Sequence, residues 1–258
     1  MFRLSLQWFW ALFLGAVLAH AEKPPNVVIF FTDDQGTLDL RCYGSEHLRT
    51  PNVDKLAATG TRFTQAYAHS FCCPSRAALL TGRHPQRGNV NSWVQGDMRA
   101  IEKGINMDLS EVTLAEALKT GGYRTALFGK WHLGAHPDHG PTRQGFDEFF
   151  GIRGGFIDNK THFFLQGDGF HDLYEGTREV WAKGRYFPQM IVDRANQFIE
   201  QNIENPFFIY LALNTPHYPE QPPQEHLAKF AHLEEPRRTY SAFMHTTDDL
   251  VGQVMSKL

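Results

Sequence analysis

The chain has 258 residues, of which 42% are hydrophobic and 13% aromatic. This composition is typical of a globular protein with a substantial core and excludes a disordered or fibrous chain. Its 25 Lys and Arg residues nearly balance 28 Asp and Glu residues. Because this balance offers no overall attraction for nucleic acid or for an anionic membrane, we expect neither as a partner.

The first residues have the pattern of a segment that is removed on export. An apolar run over residues 8–19 follows Arg3, and Ala19-His20-Ala21 matches the small-x-small cleavage rule. The run is short for a membrane span. We therefore predict a signal peptide over residues 1–21, with an uncleaved anchor as the alternative. The mature chain, residues 22–258, is expected free of the membrane in a periplasmic, extracellular or lysosome-like compartment.

The first predicted elements alternate between strands and helices. "NVVIFFTDD" (residues 26–34) is a continuous apolar run that predicts a buried parallel strand ending in two acids. "TPNVDKLAATG" (50–60) predicts a short helix, with Thr50 as its cap and Pro51 at its first position. Residues 61–69 alternate like a strand, and "PSRAALLTG" (74–82) predicts a second short helix.

The same alternation continues to the end of the chain. Helices are predicted over residues 113–123, 192–202 and 239–258, and strands over 124–134 and 206–217. The segment 151–184 has no convincing period and is expected to be a long functional excursion. Strands that alternate with helices predict an α/β fold with a doubly wound, largely parallel sheet sandwiched by helices.

Polar residues follow three of the predicted strands, and a fourth group lies at a helix start. Each group alone has an ordinary explanation, such as a turn, a cap or a surface charge. The carboxyl ends of the strands in a doubly wound sheet meet along one edge, which predicts that the four groups share one pocket. The groups are Asp33 with Asp34, Lys130 with His132, His217 alone, and Cys72 with Arg76.

The chemistry of these groups favours an anionic ligand. Two adjacent buried carboxylates repel each other unless a cation lies between them, and oxygen ligands suit Ca²⁺ or Mg²⁺. The cationic and imidazole groups around such an ion would suit a tetrahedral oxyanion. Cys72, at a helix N-terminus beside cations, would be an activated nucleophile if it remained a thiol.

Four motifs carry a family resemblance. "CCPSRAALLTGR" (residues 72–83) resembles the sulfatase signature C-x-P-S-R followed by a Thr-Gly pair. "FTDDQG" (31–36), "GKWHLG" (129–134) and "NTPH" (214–217) match the same family in the same order. The chain from residue 26 onward is therefore identified as a member of the sulfatase family, which implies an alkaline-phosphatase-like fold.

The resemblance implies a modified cysteine. In sulfatases the first Cys of the signature, here Cys72, is oxidised during export to formylglycine by a formylglycine-generating enzyme. The hydrate of this aldehyde is the nucleophile, because one hydroxyl can attack sulfur and the other can expel sulfate. Cys73 occupies the variable position of the motif. The sequence leaves open whether Cys73 is free or pairs with Cys42.

The resemblance also assigns roles to the other groups. Asp33, Asp34 and the modified Cys72 would hold Ca²⁺, in preference to Mg²⁺. Arg76 and Lys130 would position residue 72 and neutralise charge on the transferred group. His132 would remove the proton that lets the hydrate collapse, and His217 would protonate the leaving alcohol. The implied reaction is hydrolysis of a sulfate monoester, with sulfated carbohydrate preferred over an aryl sulfate.

The sequence departs from the family pattern in one respect. Sulfatases take further metal ligands from an apolar strand ending in Asp-Asn-Gly and an active-site lysine from beyond it, and neither motif is matched here. Asp158-Asn159 precedes "NTPH" and is not counted, and Asp248-Asp249 is expected on a solvated helix face. We therefore expect residues 22–258 to be a sulfatase catalytic domain truncated at its C-terminal end, with an incomplete metal site and no turnover by itself.

Two other functions are left open. An alkaline-phosphatase-like phosphodiesterase or phosphonate hydrolase would share the fold, and a non-catalytic secreted remnant could bind sulfated glycans without cleaving them. The segment 151–184 is a candidate substrate-facing loop because sugar rings stack on aromatic side chains. The alternative is that it packs its own hydrophobic residues against the sheet. The residues in question are His162, Phe163, Phe164, His171 and Tyr174.

Overall fold

The structure is a computed structural model that describes residues 23–103, 105–165 and 169–258. The predicted signal peptide, residues 1–21, lies outside the described residues. Within them, no helix combines the length and the apolar character that crossing a lipid bilayer requires.

A six-stranded sheet forms the centre of the fold, with the strands in the order β1-β6-β2-β3-β4-β5. The first four neighbours run parallel, and β4 and β5 add an antiparallel hairpin at one edge. This confirms the prediction of a largely parallel α/β sheet. The strands are β1 (Val27–Asp33), β2 (Arg124–Lys130), β3 (Glu148–Ile152), β4 (Tyr174–Glu175), β5 (Arg178–Glu179) and β6 (Phe207–Pro216).

Helices cover both faces of this sheet, as a doubly wound fold requires. One hydrophobic core joins α4 and α6 to the sheet, and a second core joins α2 and α3 to the opposite face. Short 3₁₀ turns connect several elements. The helices are α1 (Pro51–Thr59), α2 (Cys72–Thr81), α3 (Leu114–Thr120), α4 (Phe187–Gln201), α5 (Gln224–Lys229) and α6 (Arg237–Met255).

Helix α2 begins two residues earlier than its sequence pattern predicts. Pro74 lies in the first helical turn, where its missing N–H is not needed for a helical hydrogen bond. Gly82 ends the helix with φ 64°, a left-handed conformation that glycine adopts without strain. The first turn therefore includes both Cys72 and Cys73 rather than only adjoining them.

One predicted strand is absent, and one observed strand was not predicted. Residues 61–69 form no strand, and their apolar members Phe63 and Tyr67 are 69% and 90% exposed. The alternating pattern is present there, but no sheet face lies against it. Conversely, β3 was not predicted because its five residues lead directly into the glycine-rich segment 151–184. This strand pairs with β2 along its whole length and extends the sheet.

The sequence predicts that Asp248 lies on a solvated helix face, but the structure buries it. It is only 1% exposed and accepts hydrogen bonds from the backbone N–H groups of Asn52, at 3.1 Å, and Val53, at 2.9 Å. These donors belong to the first turn of α1, whose N–H groups have no partner within the helix. The predicted cap, Thr50, makes no such side-chain bond. Asp248 therefore fastens α6 to the start of α1.

Candidate active site

Asp33 ends β1 inside a network of fixed positive charge. Lys130, the last residue of β2, donates from Nζ to Asp33 Oδ2 at 2.5 Å, and Arg76 Nη2 lies 3.5 Å from Oδ1. All three side chains are buried. Burial alone would raise the pKa of Asp33, but Lys130 and Arg76 lower it below its usual value. Asp33 is therefore held as a carboxylate.

Arg76 is fixed by backbone and aromatic neighbours. Its Nη1 donates to the carbonyl oxygen of Lys130 at 3.0 Å and to the hydroxyl of Tyr210 at 3.3 Å. The guanidinium lies over the ring of Phe31, 5.3 Å from its centre. Nε and Nη2 have no hydrogen-bond partner among the described residues. Arg76 therefore links the ends of β1 and β2 to the middle of β6 and keeps two donors, Nε and Nη2, without a hydrogen-bond partner beside Asp33.

Asp34 lies on the open side of the same strand end. It adopts φ 59°, and its side chain is 63% exposed. Its Oδ2 is 3.5 Å from Nε2 of His217, whose Nδ1 bonds the carbonyl oxygen of Tyr218 at 2.6 Å. Burial and the charge of Asp33 raise the pKa of Asp34. A bound cation would relieve this repulsion.

Cys72 faces an oriented histidine. Its Sγ lies 3.1 Å from Nδ1 of His132, and Nε2 of that ring lies 3.1 Å from the carbonyl oxygen of Trp93. Because a carbonyl only accepts hydrogen bonds, the ring proton is on Nε2, and the lone pair of Nδ1 points at sulfur. Burial and the charge of Lys130 lower the pKa of His132. The ring is therefore a neutral acceptor placed against Cys72.

The surroundings of Cys72 also stabilise its deprotonated form. A hydrogen bond with Cys73 is the largest cause that lowers the pKa of Cys72, and the charge of Lys130 lowers it further. Cys72 is the first residue of α2, where the helix dipole favours negative charge. Burial raises the pKa of Cys73. All three cysteines, including Cys42, are free thiols, so no Cys42–Cys73 disulfide is present.

Two glycines make room for the His132 ring. A Cβ atom at Gly96 would lie 2.2 Å from Cδ2 of the ring, and one at Gly155 would lie 2.9 Å from Cε1. His132 itself adopts φ 55°, which is uncommon for a residue with a side chain. Neither glycine nor Trp93 was predicted from the sequence, since each comes from a loop with no motif.

The groups meet at a cavity of about 250 Å³. Four of the predicted site residues line it: Asp34, Cys72, His132 and His217. Its walls include the side chains of Trp93, Asp97, Phe156, Phe164 and Tyr218. Asp33, Arg76 and Lys130 are not among the lining residues and lie behind Cys72. The structure thus brings the predicted residues together in two layers, an open one and a buried one.

The whole described part of the chain matches one protein family. The family model described as Sulfatase matches residues 25–258. The chain belongs to the sulfatase family.

Sulfatases of known name and structure support this assignment. Human arylsulfatase A is 40% identical over 227 residues, covering 80% of this chain and 44% of that protein. Arylsulfatase J of Mus musculus is 34% identical over 239 residues, covering 89% and 39%. The crystal structure of Ps i-CgsB superposes with a TM-score of 0.82 at 31% identity, covering 91% of this chain and 55% of that one. The chain thus spans less than half the length of these two curated relatives.

A further neighbour shows the fold alone. The phosphonate monoester hydrolase of Agrobacterium radiobacter has a TM-score of 0.62 at 17% identity. The match agrees with the alkaline-phosphatase-like architecture predicted from the sequence, which the sulfatase structures bear out.

The aromatic segment 151–184 of this sulfatase contributes side chains both to the cavity and to its own packing. Phe164 reaches the cavity, and so does Phe156, which stacks between Phe164 and His217. His162 and His171 are instead buried, and His171 stacks on Trp181 with ring centres 3.8 Å apart. Phe156 and Phe164 therefore face the cavity, whereas His171 and Trp181 pack against each other.

The carboxylate oxygens at this site are of the type that calcium prefers, but the described residues supply too few of them for a complete calcium site. The carboxylates of Asp33 and Asp34 are the oxygen ligands that a hard cation prefers, and Ca²⁺ takes about six to eight of them. Lys130 and Arg76 already engage both oxygens of Asp33. The residues described at this edge therefore account for only part of a calcium site.

Proposed function

We propose that this protein hydrolyses sulfate monoesters to an alcohol and sulfate, with residue 72 as the nucleophile after conversion of its cysteine to formylglycine. The observation that carries the proposal is the pairing of Cys72 Sγ with Nδ1 of His132 at 3.1 Å. The ring proton is held on the opposite nitrogen, so the atom facing residue 72 is a proton acceptor.

Conversion of the cysteine fits the export predicted for the chain. A formylglycine-generating enzyme would act during passage out of the cytoplasm, and the predicted signal peptide over residues 1–21 would direct that passage. Cys72 is the reactive member of the pair, since its neighbours stabilise the thiolate and those of Cys73 do not. The protein would then work in a periplasmic, extracellular or lysosome-like compartment.

Two groups would complete the chemistry. When bound by Asp33, Asp34 and residue 72, Ca²⁺ would polarise the sulfate group, with its remaining ligands coming from outside these residues. The aldehyde at position 72 would supply, as its hydrate, the attacking oxygen.

Residues of the chain itself would accept and donate the protons of the reaction. His132 would accept a proton at Nδ1 while Nε2 stays bonded to Trp93, so the ring would not turn during the reaction. Lys130 and Arg76, both fully buried, would keep Asp33 ionised instead of touching the substrate. His217 would protonate the leaving alcohol from Nε2, which faces Oδ2 of Asp34 at 3.5 Å.

The walls of the cavity favour a carbohydrate ester. Trp93, Phe156, Phe164 and Tyr218 present aromatic surface on which a sugar ring can stack. Relatives with this substrate class support the choice: one is named N-acetylgalactosamine-6-sulfatase, from Rattus norvegicus, at 34% identity. The crystal structure of Ps i-CgsB has also been solved in complex with k-i-k-neocarrahexaose, at 32% identity.

The test uses the protein produced together with a formylglycine-generating enzyme and supplied with calcium. The peptide containing residue 72 should lose about 18 Da, and sulfated oligosaccharides should release sulfate when a longer form of the chain supplies the remaining calcium ligands; residues 22–258 alone should release none. Cys72→Ala should abolish the release, whereas Cys42→Ala, at a cysteine outside the cavity, should retain it. Faster cleavage of phosphonate monoesters or phosphodiesters would favour the phosphonate hydrolase alternative. Binding of sulfated glycans by an unmodified, inactive protein would favour the remnant.

A further inference from the structure

A second group of metal-type ligands lies away from the cavity, between α5 and α6. It consists of His226 on α5 together with His245 and Asp249, one turn apart on α6. One ligand atom from each residue lies within 4.8 Å of the other two. Nε2 of His226 is 3.1 Å and Nε2 of His245 is 3.9 Å from Oδ2 of Asp249.

The second nitrogen of each ring, Nδ1, faces an oxygen atom. His245 Nδ1 faces the carbonyl oxygen of Arg49 at 3.3 Å, so this nitrogen is the donor. His226 Nδ1 lies 2.7 Å from Oγ1 of Thr246, whose own hydroxyl donates to the carbonyl of Ala242. The hydroxyl oxygen can therefore accept from Nδ1 of His226 when Nε2 binds a metal. Both Nε2 atoms face the carboxylate of Asp249.

Two imidazoles and a carboxylate arranged in this way can hold a cation at their centre. Ring nitrogens that bind a metal usually hold their second N–H on a carbonyl or similar acceptor, and each ring has such an oxygen beside Nδ1 here. Tetrahedral ligands about 2.0–2.1 Å from zinc lie about 3.3 Å apart, and the two nitrogen–oxygen distances bracket this value. The carboxylate is 36% exposed, which leaves a side open for a water ligand.

We propose that His226, His245 and Asp249 form a binding site for a divalent transition ion, with Zn²⁺ the best fit to two imidazoles and one carboxylate. The ion would hold α5 against the long helix α6. Helix α5 follows the strand end that carries His217. Its role would be structural, because the donors do not line the catalytic cavity.

The ammonium group of Lys229 competes with a metal ion for this site. Its Nζ lies 2.7 Å from Nε2 of His245, on the side where the ion would bind. The residue is exposed, so its side chain can turn into water when a metal arrives. Binding of the ion therefore competes with the ammonium group of Lys229. This competition predicts that removing the ammonium strengthens metal binding, which loss of an ordinary structural contact would not do.

The test is a calorimetric titration of zinc into the chelator-treated protein, made in a Cys72→Ser background. That substitution disables the separate group of Cys72, Cys73 and His132, whose sulfur atoms could also bind zinc. One site is expected, and zinc at about a hundred times its Kd should raise the Tm by about 5–10 °C. Calcium should not replace zinc at this site.

Variants assign the binding to the proposed residues. His226→Gln and Asp249→Asn should weaken zinc binding by at least about tenfold, and Thr246→Val, which removes the acceptor of His226, by about tenfold. Lys229→Met should strengthen it, and His232→Gln, at an exposed histidine nearby, should leave it unchanged. If His226→Gln does not fold, the exposed Lys229→Met still decides by the sign of its effect. No zinc binding by the parent, or equal affinity in parent and cluster variants, would overturn the proposal.

Discussion

Gly96 is predicted to fix the catalytic geometry of His132, and Gly96→Ala tests this directly. The added Cβ would lie 2.2 Å from Cδ2 of the ring, whereas ordinary contacts begin at 3.4 Å. The ring would have to move by about 1 Å, because Gly155 closes its other side. We expect overpacking to cost about 1–3 kcal/mol of stability. A displacement of this size can lower the rate of a positioned catalytic group by about a hundredfold.

The assay measures the thiol of Cys72 in protein made without the converting enzyme. The rate of iodoacetamide labelling against pH, followed by mass spectrometry of the peptide, gives the pKa of this cysteine. Because the neutral ring accepts a hydrogen bond from the protonated thiol, losing this bond should lower that pKa by about half to one pH unit. Cys42 serves as an internal reference, because burial raises its pKa independently of His132.

A matched control separates geometry from general loosening. Gly140 is also buried, has φ -74°, and its added Cβ would meet nothing closer than 3.4 Å. Gly140→Ala should therefore leave the labelling profile of Cys72 unchanged. In a His132→Ala background, Gly96→Ala should have no further effect on that profile. An unchanged Cys72 pKa in Gly96→Ala alone would refute the reasoning.

Three further predictions concern buried carboxyl groups. Burial raises the pKa of Asp172 to about 6, so from about pH 4 to 6 the folded chain retains a proton that the unfolded chain releases. The free energy of unfolding should fall by roughly 3 kcal/mol over that range, and urea denaturation of Asp172→Asn should show a flatter profile. Lys130→Met leaves Asp33 with Arg76 alone and should lower the free energy of unfolding by about 3–5 kcal/mol; adding Asp33→Leu should recover part of the loss. Asp248→Ala removes the acceptor at the start of α1 and should cost about 1–2 kcal/mol in the same assay, whereas Asp193→Ala, at an exposed site, should stay within about 0.5 kcal/mol of wild type.

The predictable part of the fold is the part determined by local sequence. β1 and β6 are long apolar runs bounded by polar residues, and a buried parallel strand satisfies such a run whatever its neighbours are. The bounds of α3 follow from Thr113 and Gly121, and the observed capping box at Thr113 is a local interaction. The polar residues after these strands were predictable as one site because parallel strand ends meet at one edge.

The rest depends on contacts between distant segments. Residues 61–69 have the alternation of a strand but lack the neighbouring backbone that would make them one. Asp248 is indistinguishable in sequence from a surface acid, and only its approach to α1, about two hundred residues away, makes it a cap. Gly96 and Trp93 act on His132 through packing and a carbonyl oxygen, which carry no residue-type pattern. Motifs therefore located the candidate site residues, while the residues that orient them required coordinates.

Lys130 and His132 lie two residues apart on one stretch of backbone, yet they belong to different layers of the site. Lys130 holds the buried carboxylate of Asp33, and His132 faces the cavity. A backbone change between them would disturb both layers at once. The loop with Trp93 and Gly96 contacts the ring of His132 through a carbonyl oxygen and through close packing, so it offers a separate place for altering proton affinity. Protein engineers who wish to shift the working pH of this sulfatase should therefore vary that loop and leave the strand end intact.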